Sequence, residues 1–280
     1  MMTCRSAAGK PWFLLPVLVV AMLAFMPGPA VAVEESDPAN GLRTIYLTFD
    51  DGPLPGTAEV LDITRRLQIP VSMMMVGKQV SIGPREGALF EIAVRDPYTF
   101  VGNHSYSHAN SHYARFYSNP AAVVADIDEN QQCLNLNNRI VRLPGRNIWL
   151  VCGRLKYDLF SGVQAARMLA RDGYTMVGWD VEWEHDSATG RPIQSVEEMV
   201  RDIDEAFEHA FTPGHVVVLA HDEMFRNVTE DAALFILLKS LKSKGYAFRT
   251  LDKYPACQRT NPSGAEPAVK VNIMKEERQP

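Results

Sequence analysis

Short apolar runs alternate with amphipathic segments along most of the chain. The runs are rich in β-branched and aromatic residues, which is typical of strands, whereas the longer segments space their apolar residues three or four apart, which is typical of helices. The clearest helix begins at Ser195, where Val196, Met199, Ile203 and Phe207 share one face. Predicted strands cover 44–49, 71–76, 99–101, 140–143, 174–179, 216–219 and 247–251, and predicted helices cover 56–68, 86–95, 120–136, 162–172, 195–207 and 234–241. This alternation predicts an α/β fold with a mostly parallel sheet, either open or closed into a barrel.

The first 32 residues have the pattern of an export signal. Arg5 and Lys10 precede an apolar run over residues 12–25, and Ala30-Val31-Ala32 fits a small-x-small cleavage site. The run is shorter than the roughly 20 residues of a spanning helix, so cleavage is favoured over an N-terminal membrane anchor. We therefore expect a signal peptide over 1–32, a linker over 33–42, a catalytic domain over 43–256 and a flexible tail over 257–280. The mature protein is expected to be periplasmic or secreted, without stable membrane insertion.

Charge and cysteine content narrow the function classes. Without residues 1–32 the chain has 26 basic and 33 acidic residues, and it lacks a basic stripe, which argues against nucleic-acid binding. Cys133, Cys152 and Cys257 do not have zinc-ribbon spacing. They allow either one disulfide with one free thiol or three unpaired thiols. The oligomeric state is not predicted.

Titratable residues cluster where predicted strands end. The strand ends are followed by Asp50 and Asp51, by His104 and His108, by Arg142, by Asp180 and Glu182, and by His221. Reactive groups of parallel α/β sheets collect at the carboxyl ends of strands. Two imidazoles and a carboxylate are a common zinc set, and His104 and His108, four residues apart, would point the same way on a helical turn.

Four segments in this order resemble the motifs of the polysaccharide deacetylases, carbohydrate esterase family 4. They are Thr48–Pro53 (TFDDGP), His104–His108 (HSYSH), Arg142–Pro144 (RLP) and Leu219–His221 (LAH). The first motif and the histidine pair are specific, whereas the last two carry weight only in sequence with the others. The resemblance spans most of the mature chain.

The resemblance implies a distorted (β/α) barrel of about seven strands and a set of roles. Asp51, His104 and His108 would bind one divalent metal ion, with zinc favoured and cobalt, nickel or manganese as alternatives. Asp50 would be the general base, with Arg142 as its ionic partner, and His221 the general acid. The backbone N–H of Gly145 would help to polarise the substrate carbonyl.

Two segments depart from the family pattern. Gly145-Arg146 stands where the family usually has an aromatic residue and then glycine, so a groove wall is missing and a cation is added. In the fourth motif, Asp-x-x-x-Trp, Glu182 best matches the aspartate and Asp186 falls on the tryptophan position. We expect Glu182, or alternatively Asp180, to orient His221. Trp183 is a candidate for the groove instead.

The expected activity is hydrolysis of N-acetyl groups on an extracytoplasmic N-acetylglucosamine-containing glycan, such as peptidoglycan or a chitin-like polymer. O-deacetylation of a polysaccharide would use the same residues and stays open. A metal-dependent amidase acting on a small non-sugar amide and a non-catalytic glycan-binding module are further alternatives. The glycan is the only partner that the sequence indicates.

Overall fold

The computed structural model describes residues 43–226 and 228–255, and only the backbone of residues 228–231. The predicted signal peptide, linker and tail, and Cys257, lie outside these residues. In the described part of the chain Cys133 carries a free, exposed thiol and Cys152 is in a disulfide.

Strands and helices alternate through the described residues, as the apolar pattern predicts. The strands are β1 (Thr44–Asp50), β2 (Val71–Met75), β3 (Thr99–Asn103), β4 (Ile140–Val141), β5 (Ile148–Val151), β6 (Arg154–Tyr157), β7 (Thr175–Met176), β8 (Val181–Glu182), β9 (His215–His221) and β10 (Ala247–Phe248). The helices are α1 (Thr57–Leu67), α2 (Gly77–Val80), α3 (Pro84–Arg95), α4 (Tyr113–Tyr117), α5 (Pro120–Cys133), α6 (Val163–Arg171), α7 (Val196–Ala206) and α8 (Val228–Ser243).

One curled sheet of these strands forms the fold. Its order is β6-β5-β7-β4-β3-β2-β1-β9-β8, and β10 pairs with the first residues of β1. The pairings are parallel except those of β5 with β6 and β7. The sheet makes a half-barrel with helices packed against it, so the predicted α/β fold of distorted-barrel type is confirmed.

Helix ends agree with the local sequence. Ser195 caps α7 by accepting a hydrogen bond from the Glu198 N–H at 3.2 Å, and the Glu198 carboxylate accepts one from the Ser195 N–H at 2.9 Å. Asn119 caps α5, and Pro120 occupies its first turn, where a missing N–H costs nothing. These caps fix where two of the predicted helices begin.

The central strands are buried on both faces and direct alternate side chains to opposite sides. In β1, Ile45, Leu47 and Phe49 pack with the helices, whereas Tyr46 joins a second cluster inside the curl of the sheet. A period of two places Thr48 and Asp50 on that same interior face. β9 follows the same rule, so Asp50 and His221 lie on that face at the carboxyl ends of two neighbouring strands.

Two differences from the predicted elements have local causes. The strand expected at 174–179 is shortened to β7 (Thr175–Met176), because the Arg142 guanidinium takes the carbonyl oxygens of Val177 and Gly178. The hairpin of β5 and β6 was not predicted. Its turn is made by Cys152 and Gly153 at φ 56° and 73°, a geometry suited to two-residue hairpins but usually encoded by Asn-Gly.

Candidate metal and acid–base site

The site begins with the register of the two central strands. Asp50, the last residue of β1, is the parallel neighbour of His221, the last residue of β9. Both side chains therefore leave the interior face at the same edge of the sheet. Asp51 follows at φ 74°, a left-handed conformation that a non-glycine residue seldom adopts. The chain thus turns sharply where the two adjacent carboxylates must point in different directions.

Asp51, His104 and His108 converge on one point. Asp51 Oδ1 lies 2.9 Å from His108 Nε2 and 3.2 Å from His104 Nε2. Among the described residues this is the one group whose ligand atoms, all within 4.8 Å of one another, could hold a metal ion. The three residues predicted as ligands are thus brought together, and a cation between them would have an open side toward the cavity.

The two histidines meet by a loop and not by the helical turn predicted from their spacing. Ser105 and His108 have φ values of 67° and 50°, so the segment between them is not helical and that expectation was wrong. Asp126 of α5 holds the loop by accepting hydrogen bonds from the N–H groups of Tyr106 and Ser107 at 3.0 and 3.1 Å. The two imidazoles are therefore brought together by hydrogen bonds to a side chain of α5 and not by a helical turn between them.

The hydrogen bonding of His104 favours a cation at this point. Its Nδ1 lies 2.9 Å from the Arg142 carbonyl, which can only accept, so Nδ1 carries the proton. In the neutral ring Nε2 is then a lone pair facing the Asp51 carboxylate, and two acceptors repel unless a cation or proton lies between them. The donor set of two imidazoles and a carboxylate suits a divalent metal of the zinc type.

The charges in the group are strongly coupled. Burial raises the pKa of Asp51, but hydrogen bonds and charge from His104 and His108 outweigh it and hold that pKa well below its usual value. For His104, burial lowers the pKa, while the charge of Asp50 and the contact with Asp51 leave it raised overall. Asp51 is therefore an ionised acceptor at neutral pH.

Asp50 has a partner of its own. The fully buried Arg142 guanidinium lies 2.8 Å from Asp50 Oδ1 and donates to Thr48 Oγ1 at 2.7 Å. The remaining donors reach the Val177 and Gly178 carbonyls at 3.1 and 2.9 Å. A buried ion pair with its hydrogen bonds satisfied in this way is fixed in geometry. Asp50 Oδ2 is left 3.5 Å from His104 Nε2, facing the metal ligands.

His221, the strand neighbour of Asp50, has fewer contacts. Its Nε2 lies 3.9 Å from Asp51 Oδ2, and its ring centroid is 4.7 Å from that of His185. Its buried Nδ1 has no hydrogen-bond partner among the described residues. Burial, the largest cause, lowers the pKa of His221, so the ring is neutral at rest in this setting.

Neither carboxylate expected to orient His221 bonds to it. Asp180 accepts hydrogen bonds from the N–H groups of Phe211 and Val217 at 2.7 and 2.9 Å, so it holds the backbone beside β9. Glu182 lines the cavity, and burial, assisted by the charges of Glu184 and Asp50, raises its pKa to about 7. The free Nδ1 of His221 corrects the expectation that Glu182 or Asp180 contacts this ring in the structure.

Asp222, beside His221, stabilises the turn that follows Asp51. The fully buried carboxylate accepts a hydrogen bond from Thr57, whose Oγ1 accepts one from the Leu54 N–H at 2.7 Å. A Cβ on Gly52 would lie 2.7 Å from the carboxylate, so the turn passes against it closely. Burial, the largest cause, raises the pKa of Asp222 to about 7. Sequence reasoning missed this residue.

These groups surround a cavity of about 210 Å³. Its lining comprises Asp50, Asp51, His104, His108, Tyr113, Gly145, Asp158, Trp179, Glu182, Leu219 and His221. Four of these described residues are acids and none is lysine or arginine, so the cavity presents no fixed cation to an anionic ligand. Such a small polar cavity can accept an acyl group and the atoms next to it.

Comparison with known proteins shows which proteins this chain is similar to. A family model described as polysaccharide deacetylase matches residues 38–146. The peptidoglycan-N-acetylglucosamine deacetylase of Bacillus cereus is 26% identical over 238 residues, covering 79% of this chain and 75% of the relative. The chitin disaccharide deacetylase of Vibrio alginolyticus is 24% identical over 305 residues, covering 75% and 71%.

A solved structure supplies the matching fold. The catalytic domain of peptidoglycan N-acetylglucosamine deacetylase from Eubacterium rectale aligns with a TM-score of 0.58 and 23% identity, covering 84% of this chain and 100% of that chain. Residues 38–146 of this chain thus match the polysaccharide deacetylase family model, and the fold of the described residues is similar to that of this catalytic domain. Within the described residues, none of the helices has the length and apolar character needed to cross a bilayer.

The segment that resembles the third motif departs from the family pattern without adding a cation to the cavity. Arg146 is only 9% exposed, donates to Ser161 Oγ at 3.0 Å and lies 4.5 Å from the Tyr117 ring centroid. The guanidinium is therefore part of the packing, and the expected added cation does not reach the groove. Gly145 lines the cavity at φ 58°, and the role of its N–H stays a prediction.

Other groove residues also differ from expectation. Trp183 is fully buried and donates to the Gln194 carbonyl at 2.9 Å, so it does not fill the groove. Tyr113 and Asp158 line the cavity although sequence reasoning missed both. Tyr113 begins a short helix and Asp158 follows an unpredicted strand, so neither lies at one of the strand ends used to search for the site.

Proposed function

We propose that the chain is an exported, metal-dependent hydrolase that removes N-acetyl groups from an N-acetylglucosamine-containing glycan such as peptidoglycan or a chitin-like polymer. The observation that carries the proposal is the convergence of Asp51, His104 and His108 beside the Asp50–Arg142 pair and His221. The names of the relatives, which refer to peptidoglycan and chitin substrates, support the choice of glycan.

The proposed metal site uses Asp51, His104 and His108 as ligands. A bound divalent cation supplies a Lewis acid, which polarises the acetyl carbonyl and makes water a stronger acid. Zinc is the first choice for this donor set, with cobalt, nickel and manganese as alternatives. The ligating Nε2 of His104 is oriented by the bond from its Nδ1 to the Arg142 carbonyl, which also fixes the tautomer.

Asp50 is the proposed general base. Its Oδ2 faces the metal ligands, so it is placed to take the proton of a water molecule that attacks the acetyl carbon. Arg142 binds the other oxygen at 2.8 Å and so fixes the orientation of the carboxylate. Asp50 and Asp51 are adjacent in the sequence, but Asp50 is paired with Arg142 whereas Asp51 contacts His104 and His108. Asp50 can therefore accept a proton while Asp51 would remain a metal ligand.

His221 is the proposed general acid. Its Nε2 lies 3.9 Å from Asp51 Oδ2 at the wall of the cavity, where it can protonate the departing amine once the ring, which is neutral at rest, has itself taken up a proton. The N–H of Gly145 at the cavity wall is proposed as a hydrogen-bond donor to the carbonyl oxygen as negative charge develops there. In this proposal Asp50 takes one proton from the attacking water and His221 gives one to the departing amine.

Acetate release from defined substrates tests the proposal. Purified protein, with its metal content measured, is offered N-acetylated chitooligosaccharides and peptidoglycan, O-acetylated xylan and a small non-sugar amide. We expect release from the N-acetyl glycans, loss of release after chelation, and recovery on adding zinc, cobalt, nickel or manganese. Release only from xylan or only from the small amide would contradict the substrate, and chelator-resistant release would contradict the metal. Binding without release would indicate a glycan-binding module.

A further inference from the structure

Tyr113 forms a wall of the cavity next to the proposed metal ligands. The ring begins helix α4, is half-buried and lies edge-on to His108, with centroids 5.8 Å apart and planes at 86°. It lines the same cavity as Asp51 and His221. A ligand whose reacting group lies at Asp51 must therefore pass close to this ring.

The ring occupies space that Gly145 leaves open. A Cβ on Gly145 would lie 3.0 Å from Tyr113 Cε1 and 3.2 Å from Cζ, closer than ordinary carbon contacts. The wall that the family resemblance assigns to an aromatic residue after Pro144 is thus filled here from α4. Glycine at 145 also adopts φ 58°, which favours glycine independently of the space.

A second neighbour limits movement of the ring. The Arg146 guanidinium lies 5.9 Å from the Tyr113 centroid and is itself held by Ser161 and stacked on Tyr117. A ring fixed before a ligand arrives loses little conformational freedom on binding. The Tyr113 hydroxyl makes no hydrogen bond to another residue of the described part of the chain, so it is available to a ligand.

We propose that Tyr113 is a substrate-binding and specificity-determining residue, which packs its ring against the C–H face of a neutral acetylated pyranose and hydrogen-bonds a sugar hydroxyl. An aromatic ring with a polar tip suits a sugar, which has both an apolar face and hydroxyl groups. The lining offers no lysine or arginine among the described residues, which fits a neutral ring better than an acidic one. This inference rests on the proposed function and names the residue that selects its substrate.

Two substitutions separate the ring from its hydroxyl. Tyr113→Ala is expected to raise both KM and the Kd for an N-acetylated chitotetraose by about tenfold, with kcat changed far less. Tyr113→Phe is expected to raise them by about two- to fivefold, the usual effect of one neutral hydrogen bond. Tyr98→Ala is the matched control, because this half-buried tyrosine precedes β3 at the opposite edge of the sheet.

The readouts distinguish this proposal from its competitors. Metal content is measured for each variant, and Kd is measured by calorimetry as well as KM by acetate release. Unchanged KM and Kd in an active Tyr113→Ala protein would refute the role of Tyr113 while leaving the proposed function intact. If Tyr113→Ala loses metal while Tyr113→Phe binds the oligosaccharide as the wild-type protein does, Tyr113 has only a structural role. A wild-type chain that neither binds nor deacetylates the oligosaccharide refutes both proposals.

A double substitution tests the link with Gly145. Gly145→Ala is expected to lower the melting temperature more in the wild-type background, where the new methyl meets the ring, than in the Tyr113→Ala background, where only the strain at φ 58° remains. Equal losses in both backgrounds would show that the glycine serves the backbone alone and does not seat the ring.

Discussion

The two sides of the site differ in how firmly the fold holds them. On the metal side, His104, Asp50 and Arg142 are joined to one another, to Thr48 of β1 and to the carbonyls of Val177 and Gly178 by a continuous set of hydrogen bonds. On the acid side, His221 has a buried Nδ1 without a described partner and only a ring contact with His185. The ligands and base are thus set in place before substrate binds, whereas the acid relies on its strand alone for orientation.

The largest effect should follow from breaking the metal side. His104→Ala removes a ligand and the bond to the Arg142 carbonyl, so we expect metal loss and a fall in kcat/KM on the order of 10³-fold or more. Metal analysis and acetate release measure the two effects. His209→Ala, at an exposed histidine near the end of α7, is the control. Retention of metal at wild-type affinity would disprove the ligand assignment.

A smaller but selective loss should follow from Asp50→Asn. The amide still fits beside Arg142 but cannot take a proton, so we expect kcat to fall about 10²- to 10⁴-fold with metal content unchanged. Metal analysis on the same sample separates this loss from that of His104→Ala. A near wild-type rate would rule out Asp50 as the base.

His221→Ala tests the acid side. Loss of the proton donor should lower kcat about 10²-fold for an amide substrate. The metal should stay bound, because His221 is not one of the proposed ligands and its Nε2 lies 3.9 Å from Asp51 Oδ2. An ester with a good leaving group needs less protonation, so the loss should shrink on such a substrate. Equal losses on amide and ester would argue against the acid role.

Asp222→Asn concerns the stability of the Asp51 turn. The pKa of Asp222 is about 7 in the folded protein against 3.8 as the ordinary value, so between these pH values the folded state binds more protons than the unfolded state. This group therefore contributes stability that is fully present below pH 3.8 and is lost as the pH rises through about 7. Asp222→Asn should flatten the fall in melting temperature over this window, at equal metal content. The exposed Asp252→Asn serves as control, and an unchanged slope in Asp222→Asn would contradict the assignment.

The smallest effect is expected at Glu182. His221 Nδ1 makes no hydrogen bond to Glu182 in the structure. Glu182→Gln should therefore change kcat by less than about threefold, the small effect expected when no specific contact is lost. A pH–rate profile checks the result near pH 7, where Glu182 titrates. A fall in kcat near 100-fold would mean that Glu182 turns toward His221 when substrate binds. His221 would then be held by a hydrogen bond, as the residues on the metal side are.

The sequence predicted the fold and the metal side better than the rest of the site. Buried strands end at Asp50 and His221, and parallel strands must deliver both to one edge, so apolar patterning alone places them together. The loop of His104 and His108 could not be predicted from spacing, because its shape depends on Asp126 of a helix some twenty residues later. Tyr113 and Asp222 were missed for the same reason, since their importance comes from contacts with Gly145, Thr57 and Gly52 that no local pattern records.

The guanidinium of Arg142 has a consequence beyond the charge of its partner. It binds the Val177 and Gly178 carbonyls, in the segment between β7 and β8, with the same planar group that holds the Asp50 carboxylate. The conformation of that segment and the orientation of Asp50, the proposed base, therefore depend on the same side chain. A lysine at this position could supply a positive charge but not the several N–H donors that guanidinium holds in one plane. Selection for activity and selection for a correctly formed sheet therefore act on a single side chain.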